Sequence, residues 1–296
     1  MISVLICSNN PGLLTQVTNN ITTTIGTEFE ILHFDNRKAK KGLCEVYNEL
    51  ALRANFPYIC FLHEDVLFQT HEWGKKLNEI FLQKENTGLI GIAGSKYKSL
   101  FFSGWFSNVK ELDCAHYIHQ YKNSIEYVNL SPDNKNILQE VVCIDGVFMC
   151  CRKEVWENNR FNYDLLQGFH FYDIDFSLRI ARNYTVVITY EIDLIHITSG
   201  GDYGNNWVIE AMKYHKQMKN ELPFSKIHIE YKPADRNVIK ATLDFLKNYN
   251  ITLGNKIKWI TGQKLYLKPI LYYSIFKFFL YRPLRLKYIH NLFRFK

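Results

Sequence analysis

Three adjacent side chains of metal-ligand type, His63-Glu64-Asp65, directly follow the apolar run Tyr58–Leu62. The run predicts a buried strand of a parallel sheet, apolar on both faces. Such strands end at the carboxyl edge of an open α/β sheet, where these folds bind their ligands. Carboxylates beside an imidazole suit Mg²⁺ or Mn²⁺, which usually takes further ligands from substrate phosphates. The pattern indicates chemistry on a nucleotide diphosphate; the alternative is a polar turn in which Asp65 caps the next helix.

Polar residues also follow two earlier predicted strands. Ser8 and Asn9 come after the strand 2–7, and Asp35 comes after the strand 30–34. A carboxylate at such an edge can bond a ribose hydroxyl or an imino group of a base, and small polar residues suit the same pocket. A simple turn residue is the alternative for Asp35. The first strand is followed neither by GxGxxG nor by a P-loop lysine motif, which argues against binding of dinucleotides and against P-loop phosphate binding.

Two more carboxylates stand at i and i+2 where a helix is predicted to begin. Asp173 and Asp175 lie in the stretch 168–179, with Arg179 one turn further on. An aspartate at a helix N-terminus can cap the helix and complement its dipole, which accounts for one of the two. The other can face a cleft and act as a general base, provided that it lies within hydrogen-bond reach of a sugar hydroxyl.

His196 ends another predicted strand, just before the loop residues Ser199-Gly200-Gly201. A packed or hydrogen-bonded histidine is the alternative at such a position. Neutral imidazole nevertheless binds Mn²⁺, and a strand end is a useful place for a second metal or diphosphate ligand. His196 is therefore a candidate to complete the site that His63-Glu64-Asp65 begins.

The order of predicted elements places these residues on one α/β framework. Strands and helices alternate from residue 2 to residue 62, which predicts a parallel sheet with right-handed crossovers. The stretch 97–140 is aromatic and rich in Asn, Ser and Pro, and we interpret it as an insertion or mobile loop over the active face. Further strands are predicted at 88–94, 140–144, 147–151, 185–188 and 194–196, and helices at 13–24, 43–54, 73–82, 153–158, 176–181 and 207–220.

The composition is that of one large domain, or of one domain with an appendage. The chain has 296 residues, of which 47% are apolar, enough for a sizeable core. Its seven cysteines are scattered and form no CxxC pair, so we expect buried free thiols of a reducing compartment. The N-terminus lacks the basic start and the length of a signal peptide and is interpreted as the first strand.

The net charge of +7 belongs to the C-terminal tail. Residues 255–296 hold ten Lys and Arg and no Asp or Glu, so the rest of the chain is slightly acidic, which argues against a nucleic-acid partner. In 264–296 aromatic and basic residues alternate, and the uncharged run of eight residues between Lys268 and Lys277 is too short to span a bilayer. We favour a helix lying on an anionic membrane surface. The alternative is a helical hairpin packed on the domain or on a second subunit.

Taken in order, the motifs resemble the GT-A glycosyltransferases of family 2, and most closely the glycosyltransferase-like proteins with a StrF-type domain of streptomycin biosynthesis. The resemblance covers about residues 1–220. The matching segments are Ser3-Val4-Leu5-Ile6-Cys7-Ser8-Asn9, Phe34-Asp35-Asn36, Val46-Tyr47-Asn48, Phe61-Leu62-His63-Glu64-Asp65-Val66, Ile144-Asp145-Gly146-Val147-Phe148, Phe169-His170-Phe171-Tyr172-Asp173-Ile174-Asp175 and His196.

The resemblance implies an α/β GT-A fold, in which a Rossmann-like, mostly parallel sheet is flanked by helices. Residues 1–222 would form the catalytic domain, and residues 223–296 a C-terminal helical extension of basic and aromatic character. His63-Glu64-Asp65 replaces the Asp-x-Asp motif of the family, so Asp65 is the foremost metal ligand, with His63 and His196 beside it. Asp173 resembles the general base of inverting transfer. The resemblance also implies two sets of binding residues. The donor nucleotide would contact Ser8, Asn9, Asp35 and Glu64, and the donor or acceptor sugar would contact Asp145, Gly146, His170 and Asp175.

These roles imply an inverting glycosyltransferase that depends on Mn²⁺ or Mg²⁺. The ion would stabilise the departing nucleotide diphosphate, and a loop within 97–140 or 199–206 would order over the donor. The expected donor is a nucleotide-diphosphate sugar, and the expected acceptor is a glycan or a lipid-linked molecule of surface polysaccharide synthesis. We expect a cytoplasmic protein, with a peripheral position on the inner face of the cell membrane and a homo-oligomer as further options.

Two other classes of protein stay open. A nucleotidyltransferase would share a related sheet and metal site, but its first strand would be followed by a Gly-rich loop containing Arg or Lys. Ser8-Asn9-Asn10-Pro11-Gly12 has no such basic residue, which disfavours this class. A catalytically inactive protein that binds nucleotide sugars would keep the pocket, and hydrolysis of the donor would distinguish it from an enzyme.

Overall fold

The computed structural model of the chain describes residues 1–132, 136–197 and 203–280. Part of the loop predicted at 199–206 and the end of the tail, 281–296, lie outside these residues. The strands are β1 (Ile2–Ser8), β2 (Phe29–Asp35), β3 (Tyr58–Leu62), β4 (Val66–Phe68), β5 (Thr87–Gly91), β6 (Ala93–Ser95), β7 (Tyr97–Lys98), β8 (Asp113–Tyr121), β9 (Ser124–Leu130), β10 (Leu138–Val141), β11 (Cys143–Ile144), β12 (Phe148–Arg152), β13 (Thr185–Thr189), β14 (Leu194–Ile197) and β15 (Phe224–Ser225). The helices are α1 (Pro11–Thr24), α2 (Asn36–Ala39), α3 (Leu43–Arg53), α4 (Trp73–Gln83), α5 (Lys153–Asn158), α6 (Tyr172–Ala181), α7 (Asn205–Gln217), α8 (Tyr231–Leu246), α9 (Leu253–Gly262) and α10 (Tyr272–Phe279), with short 3-10 turns at Leu265–Leu267 and Pro269–Leu271.

Seven strands form a central sheet in the order β10-β13-β5-β12-β3-β1-β2. β1 pairs in parallel with β2 and β3, as the alternation of strands and helices predicted, and β13 pairs in parallel with β5. The sheet is nevertheless mixed, because β12 is antiparallel to β3 and β5 and the edge strand β10 is antiparallel to β13. The chain leaves the sheet after β5 and passes through a second sheet, so β12 enters from the opposite end.

A second sheet has the order β11-β6-β8-β14-β4, with β9 beside β8. β8 and β9 form an antiparallel hairpin over residues 113–130, so the interpretation of 97–140 as a mobile loop is wrong for this part, and the alternative of an insertion stays open. The sequence conceals this hairpin because β9 is largely exposed and β8 mixes His and Gln with apolar residues on both faces. This sheet matters for function because β14 carries His196.

The central sheet is buried on both faces, in line with the continuous apolar runs of β1 and β3. In β1, Leu5 belongs to the core cluster that contains residues of α3 and α6. Val4 and Ile6 belong to the opposite cluster, with residues of α1 and α4. All seven cysteines are free thiols and all but Cys7 are buried, as expected, whereas the reducing compartment stays a prediction.

Helices α8 to α10 pack on the rest of the chain. Leu243, Trp259, Leu271 and Phe278 are buried in the same core cluster as α3 and α6. The inward side of the C-terminal extension is therefore packed on the body of the protein, which was the alternative to a membrane-bound tail. Among the described residues, no helix is both long enough and apolar enough to cross a membrane.

Candidate active site

Two short strands bring His63, Asp65 and His196 together. β3 ends at Leu62 on the carboxyl edge of the central sheet, and the chain crosses to β4 of the second sheet within three residues. β14 pairs antiparallel with β4, so that His196 lies opposite Val66, and the Ile197 N–H donates to the Asp65 carbonyl at 2.8 Å. Backbone pairing thus places the sequence-predicted metal ligands of two distant segments side by side.

The three side chains have the geometry of a metal-binding group. One ligand atom of each lies within 4.8 Å of the others. Asp65 Oδ2 is 3.3 Å from His196 Nε2, and Asp65 Oδ1 is 3.9 Å from His63 Nδ1. Asp65 Oδ1 is buried and has no hydrogen-bond partner in the described structure. A buried carboxylate oxygen without a partner is costly, and a cation shared with the two imidazoles would satisfy it. The residues present therefore fit a divalent metal ion.

The protonation states of Asp65 and His63 suit metal binding as well. Burial would raise the pKa of Asp65, but His196 and His63 outweigh burial and hold that pKa below its usual value. Burial lowers the pKa of His63, which keeps this imidazole neutral at physiological pH. Burial also opposes charge on His196, but the Asp65 carboxylate beside it raises the pKa of that imidazole. An ionised carboxylate and a neutral imidazole are the forms that bind metals.

Tyr172 connects this metal-binding group to helix α6. Its buried hydroxyl lies 2.9 Å from His63 Nε2 and donates to the Gly146 carbonyl at 3.3 Å. When the hydroxyl donates to Gly146, His63 Nε2–H donates to the hydroxyl, and His63 Nδ1 is left unprotonated on the side of Asp65. Second partners of this kind fix the tautomer and orientation of a metal-binding histidine. In the sequence, Tyr172 is only one residue of a segment that matches the family, and its role here depends on this geometry.

Asp173 lies in the first turn of α6, and its carboxylate contacts the segment 145–147. Its Oδ2 accepts from the Gly146 N–H at 2.9 Å, and its Oδ1 accepts from the Ile174 N–H at 2.8 Å. Burial, reinforced by the nearby charge of Asp145, raises the pKa of Asp173 to about 7. A carboxylate with a pKa near neutrality is suited to general-base catalysis. The predicted base therefore lies next to the predicted sugar-binding segment.

Gly146 permits the close approach of α6, and an alanine there tests the geometry. A Cβ at this position would lie 2.1 Å from the Tyr172 hydroxyl oxygen and 3.1 Å from Asp173 Cβ. We expect Gly146→Ala to displace both side chains and to lower the turnover rate about 100-fold, because small misplacements of reacting groups are costly.

Gly104→Ala is the matched control for this prediction, since its Cβ would meet only Trp207 Cζ2, at 3.8 Å. Turnover of both variants would be compared with urea unfolding, in which overpacking at Gly146 should cost about 1–3 kcal/mol. Wild-type turnover in Gly146→Ala would contradict the placement of Tyr172 and Asp173 in the active site.

Asp145 is held by two donors. Its Oδ2 accepts from Trp105 Nε1 at 2.7 Å, and its Oδ1 accepts from the Val147 N–H at 2.9 Å. The His63 N–H donates in turn to the Val147 carbonyl at 3.2 Å, which joins this segment to the end of β3. Trp105 is a site residue that the sequence did not reveal. It belongs to the stretch 97–140, part of which thus reaches the active face, as predicted.

The Glu64 carboxylate accepts hydrogen bonds from the loop between β1 and α1. It accepts from the Ser8 hydroxyl at 2.6 Å and from the N–H groups of Asn9 and Asn10 at 3.1 and 3.0 Å. Glu64 therefore shapes the loop that carries Ser8 and Asn9. Its predicted contact with the donor nucleotide stays a prediction, as do those of Ser8 and Asn9.

Asp35 lies beside Ser8 in the parallel register of β1 and β2. Its exposed carboxylate caps α2 by accepting from the Arg37 N–H at 3.1 Å, and it also pairs with the Arg37 side chain. The hydrogen bonds from Arg37 lower the pKa of Asp35 to about 2, so the group is ionised at physiological pH. The structure thus brings Ser8 and Asp35 together at one sheet edge, as the sequence predicted.

Asp175 and His170 have other surroundings. The Asp175 carboxylate is buried and pairs with Arg179 at 2.9 Å, while Arg179 also donates to the Asn159 and Arg160 carbonyls. This ion pair fixes α6 against the segment before it, which gives Asp175 a structural role, and its predicted sugar contact stays a prediction. The N–H of His170 donates to Glu210 at 3.2 Å, and a sugar contact of its side chain stays a prediction.

His119 is a neighbour of the metal-binding group that the sequence did not reveal. It pairs with His196 in the parallel register of β8 and β14, and the two ring centroids are 5.4 Å apart. The Tyr121 hydroxyl lies 3.1 Å from His119 Nδ1. Burial and the adjacent His196 lower the pKa of His119 to about 4, so this imidazole is neutral. Only the pairing of β8 with β14 could have identified it.

The sequence model of a glycosyltransferase-like family matches residues 3–230 of the chain. The match covers well over half of the chain and includes every candidate site residue from Ser8 to His196. No curated protein sequence matches the chain.

Solved structures share the fold at low sequence identity. Two are of TarS from S. aureus. The structure of its residues 1–349 has a TM-score of 0.55, with 12% identity over 95% of this chain and 88% of that chain. The longer TarS structure has a TM-score of 0.54, with 13% identity over 93% of this chain and 53% of that chain.

Two further structures have lower TM-scores. GalNAc-T7 with UDP, GalNAc and Mn²⁺ gives 0.47, with 10% identity over 67% of this chain and 44% of that chain. The mannosyltransferase PcManGT from Pyrobaculum calidifontis, in complex with GDP-Man and Mn²⁺, gives 0.48, with 12% identity over 94% of this chain and 84% of that chain. The chain thus spans about half of the longer TarS chain and less than half of GalNAc-T7.

Proposed function

We propose that this chain, which belongs to the glycosyltransferase-like family and is a glycosyltransferase, moves a sugar from a nucleotide-diphosphate donor to a hydroxyl of a glycan or lipid-linked acceptor. One observation carries the proposal. Asp173 and the group His63, Asp65 and His196 meet at one sheet edge and are joined through Tyr172 and Gly146. We place the reaction in surface polysaccharide assembly. The StrF-type subgroup stays a prediction from the sequence.

The proposed reaction is a single displacement with inversion. Asp173 accepts the proton of the acceptor hydroxyl while that oxygen forms a bond to the anomeric carbon of the donor sugar. The bond from the anomeric carbon to the diphosphate oxygen breaks, and its electron pair leaves with the nucleoside diphosphate. The Gly146 N–H, 2.9 Å from Asp173 Oδ2, orients the carboxylate for this proton transfer.

We propose that His63, Asp65 and His196 hold a divalent cation, Mn²⁺ or Mg²⁺. When bound, such an ion supplies positive charge beside the departing diphosphate. The two imidazoles favour Mn²⁺, because Mg²⁺ prefers an all-oxygen set of ligands. Tyr172 and Gly146 would keep His63 in its metal-binding tautomer, and the donor nucleoside would lie over the edge formed by Ser8, Asn9 and Asp35.

The pH dependence of the rate is expected to follow Asp173. The base must be ionised, and its pKa is raised to about 7, so the transfer rate should rise as the pH increases through about 7. The same shift has the opposite effect on folding. Because the folded state favours protonated Asp173, this contribution to stability is present below the usual aspartate pKa and is lost as the pH rises through about 7.

Rates at saturating donor and thermal unfolding would be measured from pH 5 to pH 9. A rate that stays constant over this whole range, as a base with the usual aspartate pKa of about 4 would give, would contradict the assignment of Asp173.

A donor screen by thermal unfolding tests the proposed function. Nucleotide-diphosphate sugars that differ in base and sugar would be added to the whole chain with and without Mn²⁺. A true donor should raise the unfolding temperature in the presence of Mn²⁺, since ligands that bind the folded state stabilise it by mass action. Binding without release of nucleoside diphosphate would instead indicate the inactive binding protein.

A further inference from the structure

The C-terminal extension carries a second apolar surface, directed away from the body of the protein. We define this outer face by Tyr266, Leu267, Ile270, Tyr273 and Phe276, each of which is between 50% and 71% exposed. The five residues lie in the two 3-10 turns and in α10. Tyr272 joins these elements, because its hydroxyl donates to the Tyr266 carbonyl at 3.0 Å. A soluble protein seldom exposes so many neighbouring large apolar side chains without a partner.

Helix α10 is apolar on both sides, which sets it apart from an ordinary surface helix. Ser274 and Phe278 are buried against the body, whereas Tyr273, Phe276 and Leu280 lie on the opposite side and are exposed. A helix packed at the surface of a soluble domain normally turns charged residues to the solvent. The solvent side of α10 therefore has the composition of a contact surface.

The sequence that forms the outer face is strongly basic, and its one described acidic partner is Asp244 of α8, which pairs with Lys277 at 2.9 Å. Residues 245–296 contain eleven Lys and Arg and no Asp or Glu. Lys264 and Lys268 are exposed between the residues of the outer face, and Lys268 Nζ lies 5.1 Å from the centroid of the Phe101 ring. In the sequence, the following sixteen residues, 281–296, contain Arg282, Arg285 and other basic and aromatic residues.

From these observations we infer that the outer face docks on an anionic lipid membrane. Exposed aromatic and aliphatic side chains interleaved with lysines are suited to the boundary between headgroups and acyl chains, and the basic residues complement anionic headgroups. A second copy of the chain fits less well, because a two-fold contact would place the same basic rim against itself. Residues 281–296 are also positively charged, so they too are less suited than anionic lipid to bind the outer face.

The inference goes beyond sugar transfer and does not depend on the proposed function. It specifies the earlier expectation for 264–296. Leu265, Leu271 and Phe278 are buried in the body, so within the described residues 264–280 the outer face is the part that is left for lipid. If the acceptor is linked to a lipid, docking would hold the enzyme on the surface that contains its substrate.

Vesicle flotation of the whole chain tests the inference without donor or metal. Phosphatidylcholine vesicles with phosphatidylglycerol should bind the wild type about tenfold more strongly than vesicles without it, and high salt should remove the difference. Tyr273→Ser/Phe276→Ser should lower binding to the anionic vesicles about tenfold. The matched control is Ile125→Ser/Tyr127→Ser, at two exposed residues of the β8–β9 hairpin, which should bind like the wild type.

Three results would overturn the inference. One is a wild type that does not float with anionic vesicles, and another is equal binding by Tyr273→Ser/Phe276→Ser. The third is a wild-type dimer in solution that this double substitution separates into monomers. Because the altered residues are exposed, both variants should keep the wild-type unfolding temperature and its increase with a nucleotide sugar. Failure of vesicle binding can therefore be told apart from failure of the proposed sugar transfer.

Discussion

Asp173→Asn is expected to lower the rate of sugar transfer about 1,000-fold, within the range that a positioned general base contributes. Asparagine keeps the size of the side chain but cannot accept the proton of the acceptor hydroxyl. Its amide oxygen can still accept one of the two hydrogen bonds that the Gly146 and Ile174 N–H groups now donate to Asp173. The donor should therefore bind Asp173→Asn with nearly wild-type affinity, and the loss should appear in kcat.

Asp175→Asn provides the matched control in the same helix. It removes a carboxylate two residues further along α6, which is buried and pairs with Arg179. Breaking a buried pair by removing one partner typically costs about 3–5 kcal/mol of folding stability, so this variant should unfold more easily. Its turnover per folded molecule should stay close to that of the wild type. If the two variants lose activity equally at equal folded fraction, Asp173 is not the base.

Asp65→Asn is expected to weaken Mn²⁺ binding at least about 100-fold, and with it the Mn²⁺-dependent binding of nucleoside diphosphates. The substitution removes the only carboxylate of the group that Asp65 forms with His63 and His196. Removal of a direct ligand should exceed the 10- to 100-fold effect that is typical for residues that only orient the ligands. Calorimetric titration with Mn²⁺, in the absence of any sugar donor, measures this directly.

His116 and Asp193 provide a control for the loss of Mn²⁺ binding, because they form a histidine–aspartate pair outside the metal-binding group. The pair is formed at 2.7 Å, with His116 on β8 and Asp193 just before β14. His116→Ala should leave Mn²⁺ affinity unchanged, whereas His196→Ala should weaken it as Asp65→Asn does. Equal Mn²⁺ affinities for the wild type and Asp65→Asn would show that the metal, if any, binds elsewhere.

Local patterns were sufficient to predict the strands β1 to β3 with the helices between them, and the main candidates of the site. The apolar run Tyr58–Leu62 is β3, and the candidates Ser8, Asp35 and His63 do stand at strand ends. This succeeds because a buried parallel strand must be apolar on both faces, and its carboxyl end is where polar residues can appear. The GT-A fold expected from the order of the motifs is confirmed by the family match and by the fold shared with TarS.

The sequence did not predict which distant strands pair or which distant residues come into contact. The hairpin β8–β9 mixes polar and apolar residues on both faces, so its sequence lacks the alternation of apolar and polar residues that indicates a strand. His119 lies next to His196 only because β8 pairs with β14, and Trp105 bonds Asp145 from a segment without regular structure. The sequence could not separate Asp173 from Asp175 by spacing either, because that choice depends on Arg179 reaching one of the two carboxylates.

Release of nucleoside diphosphate from a panel of nucleotide sugars tests the central claim most directly. The wild type with Mn²⁺ should release the nucleoside diphosphate from at least one donor, slowly to water and faster with a suitable acceptor. The release should be lost in Asp65→Asn and in Asp173→Asn and retained in His116→Ala. If no donor is turned over, or if Asp65→Asn and Asp173→Asn release nucleoside diphosphate as fast as the wild type, this sheet edge is not a site of sugar transfer.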